Sequence, residues 1–493
     1  MAVLARTSSR RYAPRALAVV VPFGILTAAA LAGGTAARAT PIVALALTIG
    51  LTHRSLLRWQ ALLSGLLLVI FFIPIRRYAL PGGLPFQLEP YRILIAFIAA
   101  GWIASLLVDP RVRLRRSQFD GPLLAITLSI CASIVWNHGR ISALGVQSDV
   151  TKRLTFFLSF LLIVYLFTSL VRSYAALDSI VRTLVGAGGL LALAALIESA
   201  TRYNVFNHLQ GHLPLLRFQG LPYSLLAQDI RGGRLRVYAS SEHPIALGAL
   251  FAMLIPLAVY VARTHGRRWW PIVTLLFLGS LATVSRTAIM MLIVIVLMYV
   301  WLRRREVRVL WPLILPALVV VHLALPGTLG SLSKSFFPAG GLIQQQSQGA
   351  NTRGSGRIAD IGPALDEWSK NSLFGEGFGS RVTDKTSHHN ASILDDQWLE
   401  TLLEIGIVGA LAWLWLFVAF VRRLAREARE DQTERGWLAV ALAAGPCSYA
   451  VGMATYDALS FVQVTVMLFV FLGLGGALLS VQRTTTTHPT PVS

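Results

Sequence analysis

Charged residues are scarce in this chain of 493 amino acids. They make up 14% of the sequence, whereas hydrophobic residues make up 55% and the mean hydropathy is +0.63. A water-soluble protein of this length needs far more polar surface to cover its core. The lack of charge therefore excludes a soluble globular protein and predicts an integral membrane protein.

Cysteine is almost absent. Only Cys131 and Cys447 occur, both in strongly apolar segments, so we expect neither a structural disulfide nor a cysteine-based metal site. The adjacent pair His388 and His389 offers no metal site either, because it lacks the usual ligand spacing of three or four residues and a third ligand. The sequence thus predicts a protein without a metal or other cofactor.

Polar and apolar residues do not alternate along the chain, and this excludes a membrane β-barrel. Unbroken apolar runs such as "AIMMLIVIVLMYVWL" are instead typical of transmembrane helices, which need roughly 20 apolar residues each. The predicted fold class is all-α, a polytopic membrane bundle of about fourteen helices. The predicted spans are 16–33, 40–52, 57–75, 91–108, 121–136, 154–171, 180–198, 244–262, 269–284, 286–302, 309–325, 404–421, 437–453 and 460–480.

Acidic residues are few as well: 23 Asp and Glu stand against 44 Lys and Arg, which gives a formal charge of +21. Such an excess can indicate nucleic-acid binding. Here, however, arginines concentrate in short loops between apolar runs, such as "RVRLRR", "RTHGRR" and "LRRREVR". Loops of this kind mark the cytoplasmic side of a membrane protein. The charge therefore predicts topology, with the N-terminus in the cytoplasm, and no nucleic-acid partner is expected.

Two long loops interrupt the helical pattern, and both fall on the predicted outer side. Loops of about 45 and 70 residues far exceed ordinary connections and are typical of functional segments. For the first apolar run a cleaved secretory signal is the alternative, although its length favours a retained span. The predicted organisation is N-terminal transmembrane helices (1–198), a first outer loop (199–243), central transmembrane helices (244–325), a large outer loop with active-site elements (326–403), C-terminal transmembrane helices (404–480) and a cytoplasmic tail (481–493).

The larger outer loop contains a predicted amphipathic helix. In "GRIADIGPALDEWSKN", Ile358, Ile361, Leu365 and Trp368 recur at spacings of three and four residues, which places them on one helical face suited to a membrane surface. Such a helix would hold Arg357 near headgroup depth. The glycine-rich "LFGEGFGS" that follows is predicted to form a turn, because no Lys-Ser or Lys-Thr pair follows it as in a nucleotide-binding loop.

Four stretches occur in a characteristic order: "RVYASSEHPIALGALFAMLIP", "LATVSRTAIMMLIV", "GRIADIGPALDEWSKNSLFGEGFGS" and "HNASILDDQWLETLLEIGIVGALAWL". Taken together, over roughly residues 230 to 415, they resemble the O-antigen ligase and O-antigen polymerase superfamily. The resemblance implies an enzyme of the cytoplasmic (inner) membrane that transfers a glycan from a polyprenyl diphosphate carrier, at the outer face, to a glycan or glycolipid acceptor. It also implies inversion without a metal ion. Ligase and polymerase share this donor chemistry and stay open as alternatives.

Arginines of the outer loops are the predicted ligands of the donor diphosphate. Negative charge grows on the diphosphate as the glycosidic bond breaks, and arginine offers a permanent charge and a bidentate fork to phosphate oxygens. Arg234, Arg236 and Arg357 are the candidates, with the choice between Arg234 and Arg236 open. The alternative is that these arginines only contact anionic lipid headgroups.

The acceptor hydroxyl needs a base or an orienting acceptor, and a neutral imidazole is suited to this near neutral pH. His388 or His389 is the candidate, followed by Asn390 as a further polar contact. Asp396 is an alternative base, although an acidic residue at a helix start also caps the helix. A solvated loop surface is the alternative explanation for the two histidines.

Two further residues are weaker candidates. His243 precedes Pro244 at the start of a predicted span, close in sequence to the candidate arginines, and Arg286 lies in a tight outer hairpin where contact with lipid is the alternative. The rival from another class is a transporter or flippase of lipid-linked glycans. Transporters usually place ionisable groups within their spans, whereas here the polar residues gather in the loops, which favours an enzyme.

Overall fold

We describe the protein from a computed structural model. It describes residues 58–81, 88–108, 113–220, 230–231, 234–310, 357–382, 390–391 and 394–481, and four single residues between 323 and 333. The predicted spans 16–33 and 40–52, most of 309–325 and nearly all of the tail at 481–493 lie outside the described residues.

Helices dominate the described ranges because most of their residues are apolar and are not interrupted by turn residues. The helices are α1 Trp59–Phe72, α2 Pro90–Val108, α3 Asp120–Trp136, α4 His138–Leu144, α5 Gln147–Leu170, α6 Tyr174–Thr201, α7 Leu209–His212, α8 Pro244–His265, α9 Trp270–Ala282, α10 Arg286–Leu302, α11 Arg304–Leu310, α12 Arg357–Lys370, α13 Gln397–Glu430, α14 Glu434–Gly452 and α15 Val462–Ser480.

Among the described residues, the strands form two short antiparallel pairs in the connecting segments, besides an isolated bridge between Leu80 and Leu88. Strand β1 (Tyr78–Ala79) pairs with β2 (Arg217–Phe218), and β3 (Ile230–Arg231) pairs with β4 (Arg234–Leu235). The predicted all-α class is confirmed for the described part of the chain.

Seven of the described helices are long and apolar enough to cross a membrane: α2, α5, α6, α8, α13, α14 and α15. Helices α3 and α4 add an eighth if the pair, bent by 63°, is one span, and α1 and α10 are shorter apolar helices. The chain is therefore a polytopic membrane protein. The predicted number of fourteen spans stays a prediction.

Helices α8 and α15 form the centre of the bundle. In each, 94% of an apolar stretch of 18 residues is buried inside the protein. This is expected for helices that are apolar on all sides. Helix α8 packs against α6, α9, α10 and α14, and α15 packs chiefly against α5 and α14. The outer helix α2 buries only 28% of such a stretch, so most of its surface is available to lipid.

The bundle has two chemically different ends. We call the loop end the one at which α8, α13 and α15 begin; there His243, before α8, stacks on Phe461, before α15, with ring centroids 5.4 Å apart. We call the arginine end the one at which α8, α10 and α13 finish. At that end the Arg263 guanidinium lies 3.8 Å from the Trp437 ring centroid.

Helix α13 differs from the span predicted at 404–421. It begins at Gln397 and continues to Glu430, so the last seven residues of the predicted large outer loop, 397–403, are already helical. Hydropathy misses residues 397–403 because they include Glu400 and are followed by Glu404, yet both carboxylates are buried against arginines of other segments. Tertiary ion pairing thus permits a helix that the apolar pattern does not indicate.

Candidate functional site

The segment 236–243 crosses the loop end and is held by buried polar groups. The Arg77 guanidinium donates to the carbonyl oxygens of Ala239 at 2.7 Å and Ser241 at 2.9 Å. The Glu198 carboxylate accepts from the Ala239 amide at 2.8 Å, and Asn204 donates to the Ala239 carbonyl at 3.0 Å. Ala239 has a positive φ of 43°, so these contacts fix a turn that a non-glycine residue adopts only rarely.

Gln463 ties this segment to the start of α15 and the end of α1. Its amide nitrogen donates to the carbonyl of Ile70 at 2.9 Å and to the Ser240 hydroxyl at 3.2 Å, while its amide oxygen accepts from the Ser241 hydroxyl. Each of these groups is buried, and an unpaired buried polar group is costly. The three segments meeting here are therefore fixed relative to one another.

Glu242 is fully enclosed beside this junction. Its carboxylate lies 3.2 Å from the Arg76 guanidinium and accepts a hydrogen bond from the backbone N–H of Gln463 at 3.4 Å. Burial raises the pKa of Glu242, because removal from water disfavours the charged carboxylate, and the Arg76 charge offsets only part of this effect. A second carboxylate, Glu89, accepts from the Arg76 amide at 2.7 Å.

The segment 372–380, which contains the turn predicted at 373–380, docks into a break in helix α13. Gly406 interrupts the helix with a φ of 68°, and the amides of Ile407 and Val408 bond to the carbonyls of Ser372 and Leu373 instead of within the helix. A Cβ on Gly406 would lie 2.1 Å from the Leu373 carbonyl oxygen. Only glycine therefore allows the two backbones to come this close.

The same segment is also tied to helix α3. The Ser133 hydroxyl donates to the Glu404 carbonyl at 2.7 Å and accepts from the Phe378 amide at 3.1 Å. The Asn137 side chain donates to the Gly375 carbonyl at 3.0 Å. The segment 372–380 is thus wedged between α3 and α13.

Arg381 lies at the centre of an ion-pair cluster. Only 2% of its side chain is exposed, and its guanidinium lies 2.5 Å from Glu367, 3.3 Å from Glu376 and 3.5 Å from Glu400. Burial alone would lower the pKa of Arg381, but the neighbouring carboxylates outweigh burial and raise it. Arg140 joins the cluster with a contact of 2.7 Å to Glu376.

Arg153, at the loop end of helix α5, extends this cluster towards the bundle axis. Its guanidinium contacts the Glu404 carboxylate at 2.7 Å and donates to the Arg381 carbonyl at 3.0 Å. The Glu404 carboxylate also accepts from the Gly379 amide at 3.2 Å. Guanidinium groups and carboxylates therefore form a continuous polar layer from α4 through α5 to α13.

Asp457 lies in the turn between α14 and α15. Its carboxylate accepts from the Ser460 hydroxyl. Burial raises the pKa of Asp457, and the charges of Arg153 and Arg76 counteract this in part. The positive charges of Arg153 and Arg76 therefore both favour the ionised form of Asp457.

The three predicted diphosphate ligands occupy different positions. Arg236 is 2% exposed and its Nε donates to the Thr283 carbonyl at 3.1 Å, which joins the segment 236–243 to the turn between α9 and α10. Arg234 lies opposite Arg231 in the backbone pairing of the short hairpin β3–β4. Arg357 is the first residue of helix α12. Their assignment to the diphosphate stays a prediction.

Helix α12 forms where the amphipathic pattern predicts it. Its residues Ile358, Ile361 and Leu365 are 41–44% exposed, whereas Ala364 is buried. The buried face packs on the start of α13 around Leu399 and Leu403. Three members of the predicted apolar stripe are thus exposed, whereas the fourth, Trp368, is partly buried against this contact with α13.

The weaker candidates lie at helix starts. His243 is the N-cap of α8, where its Nδ1 accepts from the Ile245 amide at 3.1 Å. Arg286 is the first residue of α10, directly after the N-cap Ser285. His243 and Arg286 are therefore placed at the loop end, close to the segment 236–243 and the turn at Thr283.

Asn390 closes the loop that carries the two candidate histidines. Its side chain donates to the Ser380 carbonyl at 2.9 Å and accepts from the Val382 amide at 2.7 Å. Residues 383–389, which include His388 and His389, lie outside the described residues. The ends of this loop are therefore joined directly beside Arg381.

Asp396 is the N-cap of helix α13. Its Oδ1 accepts from the amides of Trp398 at 2.8 Å and Leu399 at 3.1 Å, which satisfies two donors at the helix start. The capping alternative considered for Asp396 is thus realised in the structure. A catalytic role for Asp396 stays a prediction.

Sequence reasoning did not identify most of the charged residues that hold the loop end together. The missed residues are Arg77, Arg140, Arg153, Arg381, Glu376 and Glu404. Arg77, Arg140, Arg153 and Glu404 lie at or near the end of an apolar run, where a charged residue is ordinarily explained as a boundary, whereas Glu376 and Arg381 lie in or directly after the glycine-rich turn. The available signal was the glycine-rich turn at 373–380, whose acidic residue and adjoining arginine are unusual in a simple connection.

One comparison with known proteins identifies a domain within the chain. Residues 271–414 match the family model described as O-antigen ligase. No curated protein was found to match the chain. The matched range contains the turn at Thr283, helix α12, the wedged segment 372–380 and the start of α13. The resemblance noted in the sequence is thus confirmed over this range.

Proposed function

From the O-antigen ligase domain at residues 271–414, we propose that the protein transfers a glycan from a polyprenyl diphosphate carrier to a glycan or glycolipid acceptor. We place the reaction at the outer face of the cytoplasmic membrane, with the loop end directed outwards. The observation that carries this proposal is the position of the match, because its residues build most of the loop-end polar layer. The arginine-rich opposite end supports the orientation, since positive loops mark the cytoplasmic side.

The reaction is a displacement at the anomeric carbon of the donor. The bond from this carbon to the diphosphate oxygen breaks and its electron pair stays on the diphosphate. The acceptor oxygen forms the new glycosidic bond, and its proton passes to a base. The protein must therefore stabilise a developing anion and accept one proton.

We assign the stabilisation of the negative charge that develops on the diphosphate to Arg236, Arg357 and Arg234. The burial of Arg236 supports its assignment, because a guanidinium acts more strongly on a developing charge where water is excluded. Arg357 begins α12, which packs on the start of α13 beside the ion-pair cluster. An exposed apolar stripe on α12 would place Arg357 at the depth where a carrier lipid presents its diphosphate.

We assign the base that accepts the proton of the acceptor hydroxyl to His389 or His388, with Asp396 as the alternative base. The histidine loop is joined at Val382 and Asn390, immediately after Arg381. Since the Arg381 carboxylate partners lie on three different segments, the cluster would hold the base of this loop in one place. This gives the polar layer a positioning role in the reaction.

The decisive experiment reconstitutes the purified protein in vesicles with a polyprenyl diphosphate oligosaccharide. Two acceptors are offered separately, a glycolipid and a second carrier-linked oligosaccharide, and released polyprenyl diphosphate is measured together with product mass. Acceptor-dependent release is expected, and the acceptor used distinguishes a ligase from a polymerase. Movement of the intact donor across the bilayer without release would instead show a transporter.

A further inference from the structure

A groove opens at the arginine end, between the end of helix α10 and the last turns of helix α13. Its volume is about 390 Å³, and it is lined by Trp301, Arg422, Ala425, Arg426, Arg429 and Glu430. Residues 422, 426 and 429 recur at spacings of four and three, so their guanidinium groups lie on one face of α13. Ala425 lies between them and is buried, which leaves room above a small side chain.

The groove lies where the apolar parts of both helices end. In α13 the residues from Ile407 to Val421 carry no charge, and Arg422 is the first charged residue after them. In α10 the apolar run ends at Leu302, directly after Trp301. Tryptophan and arginine at this position are typical of the boundary between hydrocarbon and headgroups. The groove is therefore at headgroup depth.

The electrostatics of the groove favour an anion. Three guanidinium groups face one carboxylate, and within the described ranges neither Arg422 nor Arg426 forms an ion pair. The Arg429 guanidinium lies 4.5 Å from the Trp301 ring centroid, a cation–π contact that orients one wall of the groove. Bidentate guanidinium groups are suited to phosphate oxygens.

The two walls are fixed to each other. Arg303, the residue after α10, donates to the Asp431 carbonyl at the end of α13 at 2.9 Å. Its guanidinium also lies 5.4 Å from the Trp437 ring centroid. Behind the groove, Glu427 accepts from Arg435 at 2.6 Å. The arginines thus stand on helix ends that are tied together, so less order has to be gained when a ligand binds.

We propose that this groove binds the phosphate of an anionic membrane phospholipid. The depth of the groove brings its guanidinium groups level with lipid phosphates, and the exposed Trp301 ring lies beside the acyl region. The excess positive charge discriminates against zwitterionic headgroups. The bound lipid fixes the ends of α10 and α13, and this role is independent of the glycan transfer proposed for the opposite end.

The alternative is that these arginines only mark the cytoplasmic side, in which case only the number of positive charges would matter. The chain offers a control that separates the two explanations. Helix α11, which directly follows α10 at the same end, carries Arg304, Arg305 and Arg308, all exposed and none of them lining the groove. Replacing three arginines by glutamine in α11 changes the net charge as much as replacing Arg422, Arg426 and Arg429. Only the second change removes guanidinium groups from the groove.

The test titrates the purified full-length chain in neutral detergent with phosphatidylglycerol or phosphatidylcholine. Native mass spectrometry measures lipid retention, and thermal unfolding is followed with and without lipid. The wild type and the α11 triple variant are expected to retain phosphatidylglycerol and to gain thermal stability from it. The groove triple variant should bind it at least about ten-fold more weakly, which corresponds to about 1.4 kcal/mol.

Equal weakening in both triple variants would overturn the proposal, since charge density would then suffice. Equal retention of the two lipids by the wild type would also overturn it. Displacement of the lipid by millimolar inorganic phosphate would show a site for free anions instead. If the groove triple variant does not fold, Trp301→Leu tests the groove instead, because it keeps every charge. This variant should weaken phosphatidylglycerol binding. Unchanged binding would contradict the groove geometry.

Discussion

The Arg153 guanidinium contacts the Glu404 carboxylate at 2.7 Å although 251 residues separate them in the chain. This contact joins helix α5 to helix α13 at the loop end. The Glu404 carboxylate is buried, so it depends on Arg153 and on the Gly379 amide for compensation. An ion pair between distant segments thus supports the break in α13 into which the segment 372–380 docks.

Replacement of Arg153 by methionine is therefore expected to destabilise the protein. The substitution leaves the Glu404 charge buried without its cation, and we expect a cost of about 1–3 kcal/mol, reduced from that of a fully buried pair because Arg153 is partly exposed. Adding Glu404→Gln should recover part of the loss. Thermal unfolding in detergent of both single variants and the double variant measures the coupling.

The control for this prediction is the neighbouring residue on the same helix. Lys152 is exposed, and Lys152→Met should change the unfolding temperature little, because exposed charges contribute little to stability. If Arg153→Met and Lys152→Met had the same effect, the ion pair would have no role in holding α5 to α13.

Gly406→Ala should separate the segment 372–380 from helix α13. The φ of 68° and a Cβ position 2.1 Å from the Leu373 carbonyl oxygen exclude a side chain without movement of the backbone. We expect a loss of more than about 1 kcal/mol in stability and a loss of transfer activity. Thermal unfolding and the vesicle assay measure the two effects.

Gly186→Ala is the matched control, since Gly186 lies in helix α6 and a Cβ there meets nothing within 4 Å. Alanine is favoured over glycine inside a helix by up to about 1 kcal/mol. This variant should be neutral or slightly more stable. Wild-type stability and activity in Gly406→Ala would show that the close approach of the two backbones is not required.

The bundle could be predicted from the sequence because lipid imposes a simple rule on each span. An apolar run must form a helix, and α2, α3, α8 and α10 lie where the runs predict them. The rule fails at the start of α13, where Glu400 and Glu404 lower the hydropathy. Their burial depends on Arg381 and Arg153, which approach only after folding. The hydropathy pattern along the sequence does not reveal contacts between distant segments.

The candidate site could be predicted less completely, for the same physical reason. Residue chemistry selects Arg236 and Asp396 for functional roles, whereas the structure gives each a defined backbone contact, to the Thr283 carbonyl and to the amides of Trp398 and Leu399. Conversely, Arg381 follows a glycine-rich turn and carries no motif. Its importance arises from three carboxylates on different segments, a spatial fact that spacing does not reveal.

Asp457→Asn is expected to change the pH dependence of stability. Burial raises the pKa of Asp457, so the folded protein binds this proton more tightly than the unfolded protein does. The stabilising effect is complete below the unfolded pKa and is lost as the pH rises through the raised folded pKa. Asparagine carries no such charge, so Asp457→Asn should be more stable than the wild type at neutral pH.

Thermal unfolding of both proteins across the acidic and neutral range tests this prediction. The difference between them should be smallest at low pH and should grow as the pH rises. If Asp457 also serves the reaction, transfer activity should fall while stability increases, as is common for strained functional groups. A wild type that gains stability relative to Asp457→Asn with rising pH would contradict the predicted sign.

Asn390→Asp should open the base of the histidine loop. Aspartate keeps an acceptor for the Val382 amide but loses the donor to the Ser380 carbonyl. It also adds a negative charge next to the Arg381 cluster. We expect a fall in kcat of about ten-fold or more, because misplacement of a reacting group has effects of this size, with unchanged membrane insertion. Unchanged kcat in the vesicle assay would show that this clamp is dispensable.

Arg357→Lys tests the proposed diphosphate contact most directly. Lysine preserves the positive charge at the start of α12 but cannot form the planar bidentate contact with phosphate oxygens. If the guanidinium stabilises the departing diphosphate, release of the carrier lipid should fall by about ten- to a hundred-fold, the loss of one charge-assisted bond in the transition state. Arg217→Lys is the control, because Arg217 is an exposed arginine in β2 outside the proposed machinery. A shared small decrease in both variants would indicate a general electrostatic effect. Wild-type turnover of Arg357→Lys would contradict the proposed bidentate contact with the diphosphate, since a positive charge alone would then be sufficient at this position.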